Sequence, residues 1–269
     1  MREGEMKRIC VCFKVVDDFD EVLPSDWDEA GGDGPDLAYV RRILGDFDEA
    51  ALENALLVKD AYRALGIGAD LTALTLAPGY ADHILRNFAA VGVDRTVCLE
   101  TQEDLRFSPE RTASALADFI LGGPPPDIVL AGLMTPPGGS GAVPLFLAEY
   151  LGLPCVTEAI SLTPARDCVA VEHRVDSGIC RREMLTAFLC TIGNARRSYL
   201  RVPTLREALR APAPAIEHVE SKIAGSRGGL KPLSVRREDR RRDCLFSEGA
   251  DASDHAAFLY ERVIKEALL

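Results

Sequence analysis

Apolar residues fall along the chain in short runs, and the spacing between them switches repeatedly between two periods. Residues 8–16 (RICVCFKVV) form a β-rich apolar run, which predicts a strand. Residues 47–65 (FDEAALENALLVKDAYRAL) carry apolar side chains at helical spacing, and Gly66 and Gly68 stop the pattern. The alternation then repeats. A strand is predicted at 70–76, a helix at 80–91, a strand at 95–99, a helix at 109–121, a strand at 127–131 and a helix over 140–151. Strands separated by helices imply an α/β fold, with a parallel, doubly wound sheet and helices on both faces.

After Pro154 the pattern changes to consecutive strands without helices: CVTEAISLT, CVAVEHRVD, ICRREMLT and AFLCTI. Alternation at Val169, Val171, His173 and Val175 predicts an antiparallel addition to the sheet. Residues 210–242 combine prolines, the cluster GSRGG and the basic run RREDRRR, and read as an extended, poorly packed arm. Residues 253–269 close the chain as an amphipathic helix. Ser253 is its candidate N-cap, and Phe258, Leu259, Val263, Ile264 and Leu268 make its apolar face. The expected organisation is an α/β domain over 1–209 and an arm plus helix over 210–269. Between the first strand and helix, the long acidic connection 17–46 reads as a protruding hairpin. Loops of that length in compact domains usually carry function.

Composition narrows the partners. A chain of 269 residues, 47% hydrophobic and 27% charged, can bury a full core. Its formal net charge of -11 argues against nucleic acid, whose phosphates require a basic face. A small anion stays compatible, because backbone N–H groups bind it without net positive charge. The start MREGEMKR leads into a strand-like run rather than a signal peptide's apolar region, and no stretch approaches the ~20 apolar residues of a membrane span. The expected compartment is the cytoplasm. The eight cysteines lie scattered in apolar runs and read as buried, reduced thiols. Cys10 and Cys12 share one strand face, without further ligands nearby, and read as core.

Ligands of open parallel sheets sit beyond the carboxyl ends of the strands. Three segments end strands there: 12–16, 76–79 and 132–142. In the last, glycine N–H groups, a helix N-terminus and the Ser140 hydroxyl suit a phosphate. On spacing alone a plain turn is equally good, since the segment is neither GxGxxG nor a P-loop with its lysine. A catalytic reading finds little support. His83, His173, His218 and His255 form no ligand-spaced pair, and Gly138-Gly139-Ser140-Gly141 misses the G-x-S-x-G elbow by one position.

Taken together, these segments resemble the β subunit of electron transfer flavoproteins over most of the chain. Val11, Cys12, Phe13, Lys14 and Val15 resemble the family's strand ending in V-K. Gly45, Asp46, Phe47, Asp48 and Glu49 stand where the family reads N-P-F-(D/E)-E, and Ala77 and Pro78 match its G-P. "LRNFAAVGVDRTVCL" is similar to L-R-x-A-L-A-M-G-A-D-R, "DIVLAG" to D-L-V-L-x-G, and "LAEYLGLPCVT" closely to L-A-E-x-L-G-L-P-x-V-T. Two segments depart from the pattern. The family's G-R-Q-A-I-D-G-D-T-G-Q is here GLMTPPGGSGA, which keeps the length and two glycines, replaces threonine by serine, and loses the arginine, both acids and both glutamines. Its K-G-I-N-E-P-R-Y segment, leading to the loop that touches redox partners, is here ARRSYLRV.

The resemblance implies a sheet of the adenine nucleotide alpha hydrolase-like (HUP) type. An ATP-using enzyme of that fold would carry S-G-G-x-D-S after the first strand, where this chain has Lys14, Val15, Val16 and Asp17. It further implies a bound AMP, or a second FAD in members that bifurcate electrons. Carried over by position, Cys12, Gly45, Asp46, Phe47, Asp48, Leu76, Gly132, Leu133, Met134, Thr135, Pro136, Pro137, Gly138, Gly139, Ser140, Gly141, Ala142 and Val143 line that nucleotide. The electron-transferring FAD sits mainly on an α subunit, with Phe19 and Phe47 at the positions of aromatic side chains near its ring. The implied assembly is a heterodimer with an electron transfer flavoprotein α-like subunit, wrapped by the arm and helix. It would serve an acyl-CoA dehydrogenase-type or other redox partner, as an electron carrier rather than an enzyme with its own catalytic residues. The alternative is a diverged structural or interaction subunit that has lost its nucleotide.

Overall fold

The computed structural model describes residues 6–29, 34–77, 81–136, 138–210, 215–221, 234, 244–249 and 251–265. The chain forms two compact units, 1–234 and 235–269. The first begins with strands β1 (Lys7–Phe13) and β2 (Val15–Asp17), helix α1 (Pro24–Glu29), β3 (Arg42–Leu44) and the long α2 (Asp46–Ala64). It continues through β4 (Ala69–Leu76), the short α3 (Asp82–Leu85) and α4 (Phe88–Val91), β5 (Arg95–Glu100), α5 (Pro109–Leu121), β6 (Ile128–Gly132) and α6 (Ala142–Leu151). Then come β7 (Cys155–Pro164), β8 (Val169–Val175), β9 (Gly178–Met184), β10 (Phe188–Ile192), α7 (Leu205–Arg210) and β11 (Ile216–Glu220).

The central sheet has nine strands in the order β11-β5-β4-β1-β6-β10-β7-β8-β9. Every pairing from β11 across to β7 is parallel, and β8 and β9 add antiparallel. The architecture is therefore α/β with a mostly parallel sheet and an antiparallel addition, as the alternation predicted. Among the described residues no helix is long and apolar enough to cross a membrane.

Period-two alternation along β1 sends its side chains to two separate cores. Ile9, Val11 and Phe13 pack with Leu71, Leu130 and the apolar stripe of α2, including Leu52, Ala55, Leu56 and Tyr62. Cys10 and Cys12 face the other way, with Leu74, Val129, Leu116 and Ile120 of α5, and Leu147 of α6. Both thiols are buried and free, as their spacing predicted; Cys98 and Cys190 are buried too, but the expectation of burial fails for Cys155 and Cys244, which are exposed, and for Cys168 and Cys180, which are half-buried. Three acids open α2, Asp46, Asp48 and Glu49, and Arg63 lies in its last turn, charges that complement the helix dipole.

Two predicted elements are corrected. The run 8–16 is not one strand: the chain leaves the parallel sheet at Lys14, and Val15–Asp17 pairs antiparallel with β3 instead. The long connection 17–46 is thus closed at its base by a small hairpin sheet, with α1 inside it. The arm is not wholly irregular either. Residues Ile216–Glu220 form a strand that adds in parallel to the sheet beside β5, fixed by an Arg95–Glu217 fork with N···O distances of 2.7–2.9 Å. The cluster GSRGG and the basic run of the arm lie outside the described residues.

The second unit contains α8 (Ala252–Leu259), continued by a π-helical turn, Tyr260–Ile264. Its N-cap is Asp251 rather than Ser253. The Asp251 carboxylate accepts from the amides of Ser253 at 2.8 Å and Asp254 at 3.0 Å, and an ionised cap suits the helix dipole. Leu259, Val263 and Ile264 are exposed, and Leu268 lies outside the described residues.

Candidate functional site

The helices after β1 and β6 leave for opposite faces of the sheet: α2 packs in one core, α6 in the other. This divergence opens a crevice at the carboxyl ends of two neighbouring parallel strands, the usual ligand position in such sheets. A cleft of about 630 Å³ occupies it, within the range of small-molecule sites.

Its floor is set by α2. Asp48, in the first turn of that helix, turns its carboxylate inward, where it is 3% exposed. The Thr135 hydroxyl donates to it at 2.8 Å. Burial pushes the Asp48 carboxyl up to about 7, against the Thr135 hydrogen bond, the Lys14 and Gly132 backbone groups and the Lys14 charge, all of which favour the ionised form. Gly132 ends β6 directly against this group: a Cβ there would lie 2.8 Å from Asp48 Oδ1 and 3.0 Å from the Asp48 nitrogen. Only glycine lets the strand end approach the helix start so closely.

The glycine segment forms one wall. Gly141 has φ +62°, and a Cβ would sit 2.9 Å from the Leu133 carbonyl oxygen, so both conformation and space require glycine. The Ser140 hydroxyl accepts from the Ala142 amide at 3.3 Å, at the start of α6. That first turn carries no acid. The helix start therefore offers its partial positive charge to the cleft without a competing carboxylate.

The opposite wall is the segment 101–107 after β5, which no periodicity marked. It is braced by its own charges: Arg106 donates in a fork to Asp104 at 2.9 and 2.7 Å, and Arg111 of α5 pairs with Glu103. The Phe107 ring lies close to Gly138, whose Cβ would be 3.5 Å from Phe107 Cε1. Apolar surface from Leu76, Leu116 and Leu147 completes the cleft.

Of the positions singled out from sequence, Cys12, Asp48, Leu76, Gly132, Met134, Thr135, Gly138, Gly139, Ser140, Gly141, Ala142 and Val143 come together around this cleft. Gly45, Asp46, Phe47, Leu133 and Pro136 adjoin it without lining it. Gly45 packs against Asp48 and Thr135, Leu133 against Gly193, and Pro136 turns its carbonyl oxygen to Lys14. Phe19 lies elsewhere, in the 17–46 connection, with its ring 6.2 Å from that of Trp27. Pro137 falls outside the described residues. The strand end 12–16, expected from sequence to border a ligand, brings Phe13 and Lys14 to the cleft beside Cys12, whereas Asp17 and the segment 101–107 line it without any sequence signal having pointed there.

The segment 193–202 after β10 is strapped to α2 beside this region. Arg201 forks onto the buried Glu53 at 3.0–3.2 Å and reaches Asp60 at 2.7 Å, while Asn54 donates to the Arg197 carbonyl oxygen at 3.1 Å. This leaves Tyr199 and Val202 exposed, at 83% and 88%.

Residues 37–221 match the family model described as the electron transfer flavoprotein domain. The chain is 30% identical over 263 residues to the "Putative electron transfer flavoprotein subunit YgcR" of Escherichia coli (strain K12), covering 97% of this chain and 98% of that one. It is 27% identical to the electron transfer flavoprotein subunit beta of Mycobacterium tuberculosis (strain ATCC 25618 / H37Rv), over 70% of this chain and 72% of the relative. The acryloyl-CoA reductase electron transfer subunit gamma of Anaerotignum propionicum is 29% identical over 68% of this chain and 66% of its own. With most of its α/β unit inside the family match and a relative aligned along nearly its whole length, the chain belongs to the electron transfer flavoprotein family, a family of electron transport.

Proposed function

We propose that this chain is the β-type subunit of an electron transfer flavoprotein. It binds an adenine nucleotide, AMP or FAD, in the cleft at the β1–β6 divergence, and pairs with an α-type subunit that carries FAD. The pair passes electrons between a dehydrogenase and an acceptor. One observation carries this reading: the glycine segment, the start of α6 and the first turn of α2 converge on one cleft, and most of the positions expected to hold a nucleotide line it.

The chain's own residues account for binding and orientation. Backbone N–H groups of the glycine segment and the start of α6 suit an anionic group. Leu76, Leu116 and Leu147 offer the apolar contact a base or ring requires. Bound flavin supplies the redox chemistry, and the protein tunes it by contacts and charge. The exposed apolar side chains Leu259, Val263 and Ile264 support a partner for the C-terminal helix, since such a stripe gains by being covered. We assign the wrapping role of 210–269 and the cytoplasmic setting to the same proposal.

A second reading has its own support. The stretch from Gly132 to Val143 holds no charged side chain, so a scaffold subunit without nucleotide accounts for the departures from the family pattern. Co-expression with its genomic neighbour, purification, and mass spectrometry of small molecules released by heat separate the two. The proposal expects a yellow heterodimer that releases adenine nucleotide. A colourless chain that releases none overturns it in favour of the scaffold.

A further inference from the structure

The floor of the cleft holds an ammonium group in an unusual setting. Lys14 stands where the chain leaves β1 for β2, and it lines the cleft. Its Nζ donates to the Pro136 carbonyl oxygen at 3.4 Å, a long and weak contact. Four charged side chains that line the same cleft act on it through their charge: Asp48 from α2, Asp17 from β2, and Asp104 and Arg106 from the 101–107 segment. Burial, followed by the Arg106 charge, pushes the lysine below its ordinary value, and the three carboxylates act against this.

Those carboxylates are largely committed elsewhere. Asp17 is ion-paired with Arg42, with Nε 2.8 Å from its carboxylate, and Asp104 accepts the Arg106 fork. Glu103, which also lines the cleft, is held by Arg111. Asp48 is shared with Thr135, and burial disfavours its charge. Lys14 is thus a partly desolvated cation with a weak carbonyl partner and a carboxylate neighbour that is only partly ionised near neutral pH. A group so placed gains from an incoming anion, because a charge-assisted hydrogen bond replaces solvation already lost.

The glycine segment cannot supply that partner from its side chains. Residues 132–143 contain no Lys, Arg or His, and among the described residues Lys14 and Arg106 are the cationic side chains lining the cleft. In a chain of net charge -11, an anionic ligand needs a local attraction of this kind.

We propose that Lys14 is the anion-recognition residue of the cleft, receiving a phosphate of the ligand between the glycine segment and Asp48. This inference rests on the nucleotide-binding reading above and assigns the charge recognition within it to a side chain outside the glycine segment.

The test is isothermal titration of the full-length chain with adenosine, AMP and FAD, at low and at moderate salt. AMP should bind at least tenfold more tightly than adenosine, and its affinity should fall with salt while that of adenosine holds. Lys14→Met should weaken AMP at least tenfold and leave adenosine within twofold, and Lys14→Arg should restore most of the loss. Equal, salt-insensitive binding of adenosine and AMP overturns the Lys14 assignment while nucleotide binding stands, and this comparison needs no variant. Equal weakening of both ligands by Lys14→Met also overturns it, marking the lysine as structural. Failure of all three ligands to bind removes the nucleotide reading and this assignment with it.

Discussion

The Thr135 hydroxyl donates to the Asp48 carboxylate at 2.8 Å, across 87 residues of sequence. It ties the glycine segment after β6 to the first turn of α2, and with the close approach of Gly132 to Asp48 it joins the wall of the cleft to its floor. The carboxylate at its centre is buried, and its protonation is therefore linked to folding.

Burial raises the Asp48 carboxyl to about 7, well above the range of an unfolded aspartate near 3.9. Between these values the folded state binds the proton and the unfolded state does not. Stability contributed by this group is present below about pH 4 and is lost as pH rises through about 7. At about 1.4 kcal/mol per pKa unit, the span is on the order of several kcal/mol. Urea denaturation from pH 4.5 to 8 should show this decline, and Asp48→Asn should flatten it. An unchanged slope in the variant would place the titration elsewhere.

Gly132→Ala should destabilise the fold by about 1–3 kcal/mol, the range for overpacking, because its Cβ meets backbone as well as a carboxylate. Gly152→Ala is the control. Gly152 also has positive φ, +63°, but nothing lies within 4 Å of an added Cβ, so its cost is backbone strain alone, about 1–2 kcal/mol. Thermal melts of both variants should agree on stability loss, but only Gly132→Ala should shift the resonances of Asp48 and Thr135.

Arg201→Ala leaves the buried Glu53 without its fork. The loss should be about 1–3 kcal/mol, discounted for the one-third exposure of the arginine. Adding Glu53→Gln should recover part of it, since an unpaired buried charge is removed. A double-mutant cycle by chemical denaturation checks this, and strict additivity would show that the pair is not coupled.

Asp251→Ala should weaken α8 by about 1 kcal/mol, whereas Ser253→Ala should change it little. Amide exchange at Ala252–Leu259 reads this directly. Faster exchange in the serine variant instead would return the cap to Ser253.

The parallel sheet, α2, α5 and α6 were legible because burying one stripe or one strand face imposes a period on the sequence. The convergence of Gly132 and Asp48 was legible only as two separate motifs. Their contact depends on how closely a strand end approaches a helix start, which spacing does not encode. The 101–107 segment, TQEDLRF, was invisible for a related reason: it is braced by Arg106–Asp104 and Arg111–Glu103 pairs, and charge pairing in a loop leaves no periodic trace. Lys14 shows the same limit. Its position at a strand end was clear, but the carboxylates around it come from three separate segments.

The two ends of the nine-stranded sheet have a consequence for how the molecule behaves in a crowded solution. At one end β11 carries Glu217 and Glu220, and at the other β9 carries Arg181, Arg182 and Glu183. Among the described residues each outermost strand carries charged side chains, and charged edges disfavour strand-by-strand growth into aggregates. The same sheet that builds a ligand cleft at its centre thus resists self-association at its margins.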